Sequence, residues 1–193
     1  MWLALAAGVI TIGLLVYRFT LPGQASLGLP IGGITAGLVI ACIIVATFLG
    51  SIRARAARLA KAFPDALRLS ILVTDGLASG SDELETRRGW ANVRMNRNTY
   101  AAIAIDAEGI HVATAGGKPF GLIPAEFVTV DGFGSAAAGL RVMRTIDLRV
   151  TSADSTVRLP IVPLRTPGNL LRVFTREEFI TLKRAVESAL GGA

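Results

Sequence analysis

The chain has 193 residues, of which 52% are hydrophobic, with 20 Lys plus Arg against 14 Asp plus Glu. That apolar content, concentrated at the front, excludes an ordinary soluble domain of this size. A single cysteine, Cys42, excludes an intrachain disulfide and a cysteine-built metal cluster.

Residues 2–17 carry no charge, and residues 31–49 form a second uncharged run. A helix needs roughly 20 mainly apolar residues to cross a bilayer. The second run qualifies directly, and the first qualifies if Arg18 snorkels to the interface. The first run lacks a basic start and an A-x-A cleavage site, which favours a retained span over a cleaved signal. The link RFTLPGQASLGLP between them is short, so residues 1–50 are expected to form a two-span membrane hairpin. Neither span holds an Asp, Glu, Lys, Arg or His for an ion or proton path. Gly33 and Gly37 stand at the spacing that lets membrane helices approach closely.

Residues 51–63 follow as a basic juxtamembrane segment. Ile52, Ala56, Leu59, Ala60 and Phe63 make one apolar stripe at helical period, and Pro64 ends the helix. Arg53, Arg55, Arg58 and Lys61 occupy the other faces. Four bases here against Arg18 alone in the loop place both termini in the cytoplasm of a multi-pass inner (plasma) membrane protein. The same four bases can attract anionic lipid, at about 1 kcal/mol each near such a surface. Stop signal and lipid contact are both open for them, with Leu59 and Phe63 turned toward the bilayer.

All 14 acids lie at or beyond Asp65, where they face 15 bases. The soluble part is therefore nearly neutral, which argues against nucleic acid as a partner.

From residue 64 the pattern changes to short strands. LSILV (69–73) precedes the polar stretch TDGLASGSDELETRRG, expected as a long loop. YAAIAI (100–105) and IHVAT flank the turn DAEG, then come FGLI and EFVTV, and GFGSAAAG reads as flexible. LRVMRTIDLRVTS (140–152) alternates, with Val142, Ile146, Leu148 and Val150 on one face, and TVRLPIV makes a seventh strand. Thr175 with Glu178 forms a capping box that opens a last helix. Its stripe of Phe179, Leu182, Val186 and Leu190 must cover something apolar, and the open end of a small barrel suits it.

The stretch IDAEGIHVATAGGKPFGLIPAEFVTVD and the closing RVFTREEFITLKRAVESAL resemble the membrane-anchored pleckstrin-homology-like (PH-like) proteins of actinobacteria. The resemblance covers about residues 95–190 and implies a seven-stranded antiparallel barrel or sandwich capped by one C-terminal helix. The expected architecture is thus a membrane α-helical hairpin plus an α+β cytoplasmic PH-like domain over 64–193. The resemblance implies a binding scaffold but brings no established activity. Nor is a phosphoinositide role implied: if the first strand is 69–73, the bases of the next loop, Arg87, Arg88, Arg94 and Arg97, are matched by acids, and if it is 100–105, the loop is the acidic DAEG.

No catalytic set emerges. His111 is the sole histidine, set in an alternating strand, with no cysteine near it to complete a zinc site. There is no G-x-S-x-G elbow and no phosphate loop. No cofactor or metal is expected, and the chain reads as non-enzymatic. Arg87, Arg88 and Trp90 are the candidate partner surface, with core packing of Trp90 as the competing role. The expected function is a membrane-bound adaptor for a protein partner, with oligomerisation open. The alternative is an anionic-lipid sensor using the basic segment and the domain together.

Overall fold

The computed structural model describes residues 25–113, 119–138, 141–152, 155–165 and 174–191, with side chains described from residue 37 onward apart from Phe48. The first predicted span lies outside the described residues, and so does its link to the second up to residue 24.

Helix α1 runs unbroken over Ala25–Ala62. Its segment Gly37–Ala62 is long and apolar enough to cross a membrane, and it is the one such helix among the described residues. Leu38, Ile40, Ile43, Ile44 and Val45 are all exposed, as lipid-facing side chains would be. The helix stops where Pro64 requires, with the Phe63 N–H closing on the Leu59 carbonyl at 2.8 Å. By contact the chain divides between Ser51 and Ile52, so the last turns of α1 belong with the residues that follow.

Seven strands follow: β1 (Leu67–Val73), β2 (Thr99–Asp106), β3 (Gly109–Ala113), β4 (Gly121–Pro124), β5 (Val128–Ala138), β6 (Arg141–Ser152) and β7 (Ser155–Leu164). They form one antiparallel sheet in the order β4-β3-β2-β1-β7-β6-β5. Strand β7 is the joint. Its first seven residues pair with β6, and Val162, Pro163 and Leu164 pair with β1. Among the described residues β4 and β5 do not pair with each other, so they are the two sheet edges.

Period-2 patterning explains the core. Ile71, Val73, Ile103, Ile105, Ile110, Val112, Ile146, Leu148, Val150, Val157 and Leu159 turn to one face and pack in a single cluster. The expected helix is present as α3 (Arg176–Ala189), with Phe179 and Val186 buried in that cluster. Both bonds of its capping box are made. Thr175 Oγ1 accepts from Glu178 N, and Glu178 Oε2 accepts from Thr175 N at 2.9 Å.

Two segments expected as loops are regular. TDGLASGSDELETRR contains helix α2 (Asp75–Arg88), which buries Leu77, Ala78 and Leu84 in the main cluster. Its Gly80 lies so close to β7 that a Cβ would stand 2.7 Å from Leu159 Cδ2. Tertiary packing makes this helix, since two glycines and two serines give it little intrinsic propensity. The glycines and alanines of 132–138 continue β5, paired with β6 out to Ala138 and Arg141 after a register shift between Val130 and Gly132. Toward its tip the β5–β6 arm turns Ala136, Ala138 and Met143 to a separate cluster of Leu72, Val162 and Leu164, and Val142, on the face it shares with Ile146, is 79% exposed.

Candidate functional site

The loop from α2 back to β2 is shaped by left-handed residues. Gly89 caps α2 at φ 67° with its N–H on the Glu85 carbonyl, and Asn92 and Asn98 also take positive φ. Between them Val93 and Met95 are buried in the core. Ser81 Oγ, fully buried on α2, accepts from Met95 N at 3.0 Å and donates to the Ala78 carbonyl at 2.9 Å. These bonds fix segment 93–97 alongside the helix and leave a groove between them.

That groove has a volume of about 470 Å³ and is lined by Asp82, Glu83, Arg87, Arg94, Asn96 and Arg97, among others. Arg87 pairs with Glu83 at 3.0 Å one helical turn away, and Arg94 Nε pairs with Asp82 at 3.1 Å. These pairs are solvated and each contributes about 0–1 kcal/mol, so a charged ligand can exchange for either partner at little cost. Three guanidiniums against two carboxylates leave the groove net positive. Its size is that of a pocket for a small ligand or a peptide segment.

The three candidate surface residues separate. Arg87 is exposed and lines the groove. Arg88 points inward, donating from Nη2 to the Ser155 carbonyl at 2.8 Å and to the Val150 carbonyl at 3.3 Å, and so ties α2 to the β6–β7 turn. Trp90 packs against the main core, with its ring 5.6 Å from Phe127 and the Arg88 guanidinium 5.1 Å above it. Arg94 and Arg97 were visible in the sequence only as part of a charge-balanced loop. Without the helix, nothing in the spacing showed that they line the same groove as Arg87.

The basic segment is also divided. Its apolar stripe does not face lipid: Leu59 is buried against Ala66, Ala102, Ala104 and Ala113, with Ala56, Phe63 and Phe120 beside them. Alternation on β2 places alanines on the face away from the core, and their small size gives the helix a seat. Arg55 donates to the Tyr100 carbonyl at 3.3 Å, and Arg58 stands 5.3 Å over the Phe120 ring. Arg53 and Lys61 are exposed. Gly33 and Gly37 both lie in α1, and among the described residues nothing packs against Gly37.

His111 is buried. Its Nε2 lies 3.0 Å from both oxygens of Asp106, and its ring stacks on Phe63. Asp106, Glu108 and His111 bring ligand atoms within 4.8 Å of one another, a grouping the hairpin creates from residues that looked unrelated. The turn itself accounts for Asp106, whose Oδ1 accepts from the Glu108 and Gly109 N–H groups.

Comparison with protein families, with curated proteins and with solved structures finds no match. What the coordinates define is a class: a seven-stranded antiparallel sheet with a C-terminal helix, entered from an apolar helix and carrying an open, charge-lined groove.

Proposed function

We propose that this protein is a non-catalytic adaptor of the inner membrane, holding a PH-like domain in the cytoplasm to bind a protein partner. The observation that carries the reading is the groove between α2 and segment 93–97, whose solvated ion pairs offer exchangeable contacts to a charged segment of another protein. The strand order β4-β3-β2-β1-β7-β6-β5 with a closing helix supports a PH-like assignment. The excess of bases after the second apolar run supports a two-span anchor with both ends inside. The near-neutral charge after residue 64 makes nucleic acid a poor partner. A lipid-surface sensor is the second reading, favoured by the exposure of Arg53 and Lys61.

Copurification at native level, in mild detergent with mass spectrometry, separates the two. Under the adaptor reading a stoichiometric protein copurifies, is lost in Arg94→Glu/Arg97→Glu, and survives Arg53→Gln/Lys61→Gln. If no protein copurifies while anionic lipid is enriched and then lost in Arg53→Gln/Lys61→Gln, the adaptor reading is abandoned for the sensor.

A further inference from the structure

Sheet edges present rows of unpaired N–H and C=O groups, and proteins normally blunt them with short strands, proline, charge or a bulge. Strand β4 follows that rule, being four residues long and ending in Pro124. Strand β5 does not. It has 11 residues and, among the described residues, is hydrogen-bonded on one side only, to β6. Its protective features all sit at the base: the register shift between Val130 and Gly132, and Asp131 paired with Arg149 at 2.7 Å. Beyond them Phe133, Gly134, Ser135, Ala136, Ala137 and Ala138 hold no charge and no proline.

Exposed apolar side chains gather on the same arm. Outside α1 the exposed large hydrophobic residues among those described are Leu122, Phe133 at 52% and Val142 at 79%. Phe133 and Val142 share a face, because Phe133 pairs with Ile146 and Val142 pairs with Ala137.

The geometry points to a second copy of this chain as the partner of β5, added antiparallel about a two-fold axis at Ser135. Three features favour a copy over an unrelated extended peptide. The edge run itself is uncharged and so is self-complementary, since no like charges stand directly opposite when it pairs with itself; the exposed Arg144, opposite Ser135 on β6, stays one strand back from the axis. With Ser135 opposite Ser135, Phe133 stands opposite the second copy's Ala137, beside its Val142. The exposed part of Phe133, whose ring also meets Phe179 and Lys183 of α3, and Val142 of each arm then cover those of the other. The ends match as well: Ala138 stands opposite Gly132, bringing Arg141 at the tip of one arm to the level of Asp131 at the base of the other. The isologous contact closes on itself as a dimer. Confinement of both copies to one membrane raises their effective concentration for such an edge contact. This inference is independent of the groove and its partner.

The test uses the full chain in isolated membranes, with Cys42→Ala to remove the native thiol. Ser135→Cys is treated with a short bifunctional maleimide, and Ala107→Cys, in the exposed β2–β3 turn, serves as an off-edge control. The expected result is a band of twice the chain mass from Ser135→Cys, at least ten times stronger than from Ala107→Cys. Native mass spectrometry should give a dimer that Ser135→Lys converts to monomer, because that change sets two ammonium groups face to face. A monomer in both measurements overturns the proposal. So does a dimer that persists in Ser135→Lys without crosslinking at residue 135, or a crosslink from residue 135 to a different protein.

Discussion

Phe63 stacks on His111 with ring centroids 3.8 Å apart and planes inclined by 25°, one residue beyond the end of α1. Phe120 meets the same ring edge-on at 5.3 Å. The last turns of the helix, from Ile52 on, are thereby clasped to the outer face of the sheet by an aromatic contact at their end and by Leu59 one turn earlier. Phe63→Ala removes the contact, and aromatic pairing plus lost burial put its cost at about 2 kcal/mol. A lower denaturation midpoint for the full chain in detergent, with an unchanged slope, is the expected outcome. No change in midpoint would mean that the stack contributes nothing to docking.

Gly80 lies against β7, where an added Cβ would meet Leu159 Cδ2 at 2.7 Å and the Arg158 carbonyl oxygen at 2.9 Å. Alanine is favoured over glycine inside a helix by about 1 kcal/mol. Here the clash with backbone outweighs that gain, because α2 cannot move without uncovering Leu77 and Leu84. Gly80→Ala should destabilise the protein by roughly 1–2 kcal/mol, measured as a lower thermal midpoint.

Arg87 and Arg88 are neighbours with opposite duties. Arg87 makes an exposed ion pair one turn along the helix, worth about 0.3–0.5 kcal/mol. Arg88 donates from a half-buried position to the carbonyl oxygens of Val150 in β6 and Ser155 at the start of β7. Arg87→Met should leave stability within about 0.5 kcal/mol of the parent, whereas Arg88→Met should cost about 1.5–3 kcal/mol. Paired urea titrations of the two variants check the difference, and equal effects would contradict these assignments.

The start of α3 should be sensitive to acid. The bond from the Thr175 N–H, with help from Arg165, holds the Glu178 carboxyl below its ordinary range. A carboxyl whose folded pKa is depressed adds stability in full above its unfolded value, near 4.3. That stability is lost as pH falls through the folded value. Glu178→Gln should remove this part of the acid-side slope, read from stability measured between pH 6 and pH 3. Thr175→Ala takes away the reciprocal bond and should cost about 1 kcal/mol at neutral pH.

Much of the sheet was readable along the chain, because a buried face repeats at every second residue and the turns carry glycine, aspartate or proline. The runs Ile71/Val73, Ile103/Ile105 and Ile146/Leu148/Val150 named their own face. Thr175 with Glu178, and Pro64, named one helix start and one helix stop for purely local reasons. The reading failed where a segment has no local preference. Gly, Ser and Asp in α2 bond their own backbone as readily in a loop, and only the burial of Leu77 and Leu84 against distant strands makes them helical. Thr145 and Asp147 are polar residues of an alternating strand, yet both are buried, bonded to each other at 2.6 Å, with Arg158 closing over Asp147.

By itself, then, the sequence determined an apolar helix with a basic exit, the alternation of seven strands and a capped last helix. Each depends on neighbours within a few residues. Only tertiary structure decided that Leu59 seats on alanines rather than lipid, that Arg88 turns inward while Arg94 and Arg97 face Arg87 across a groove, and that β5 is a sheet edge among the described residues. Those outcomes depend on which surfaces meet, and burial free energy is shared between residues far apart in the chain, where no local pattern records it.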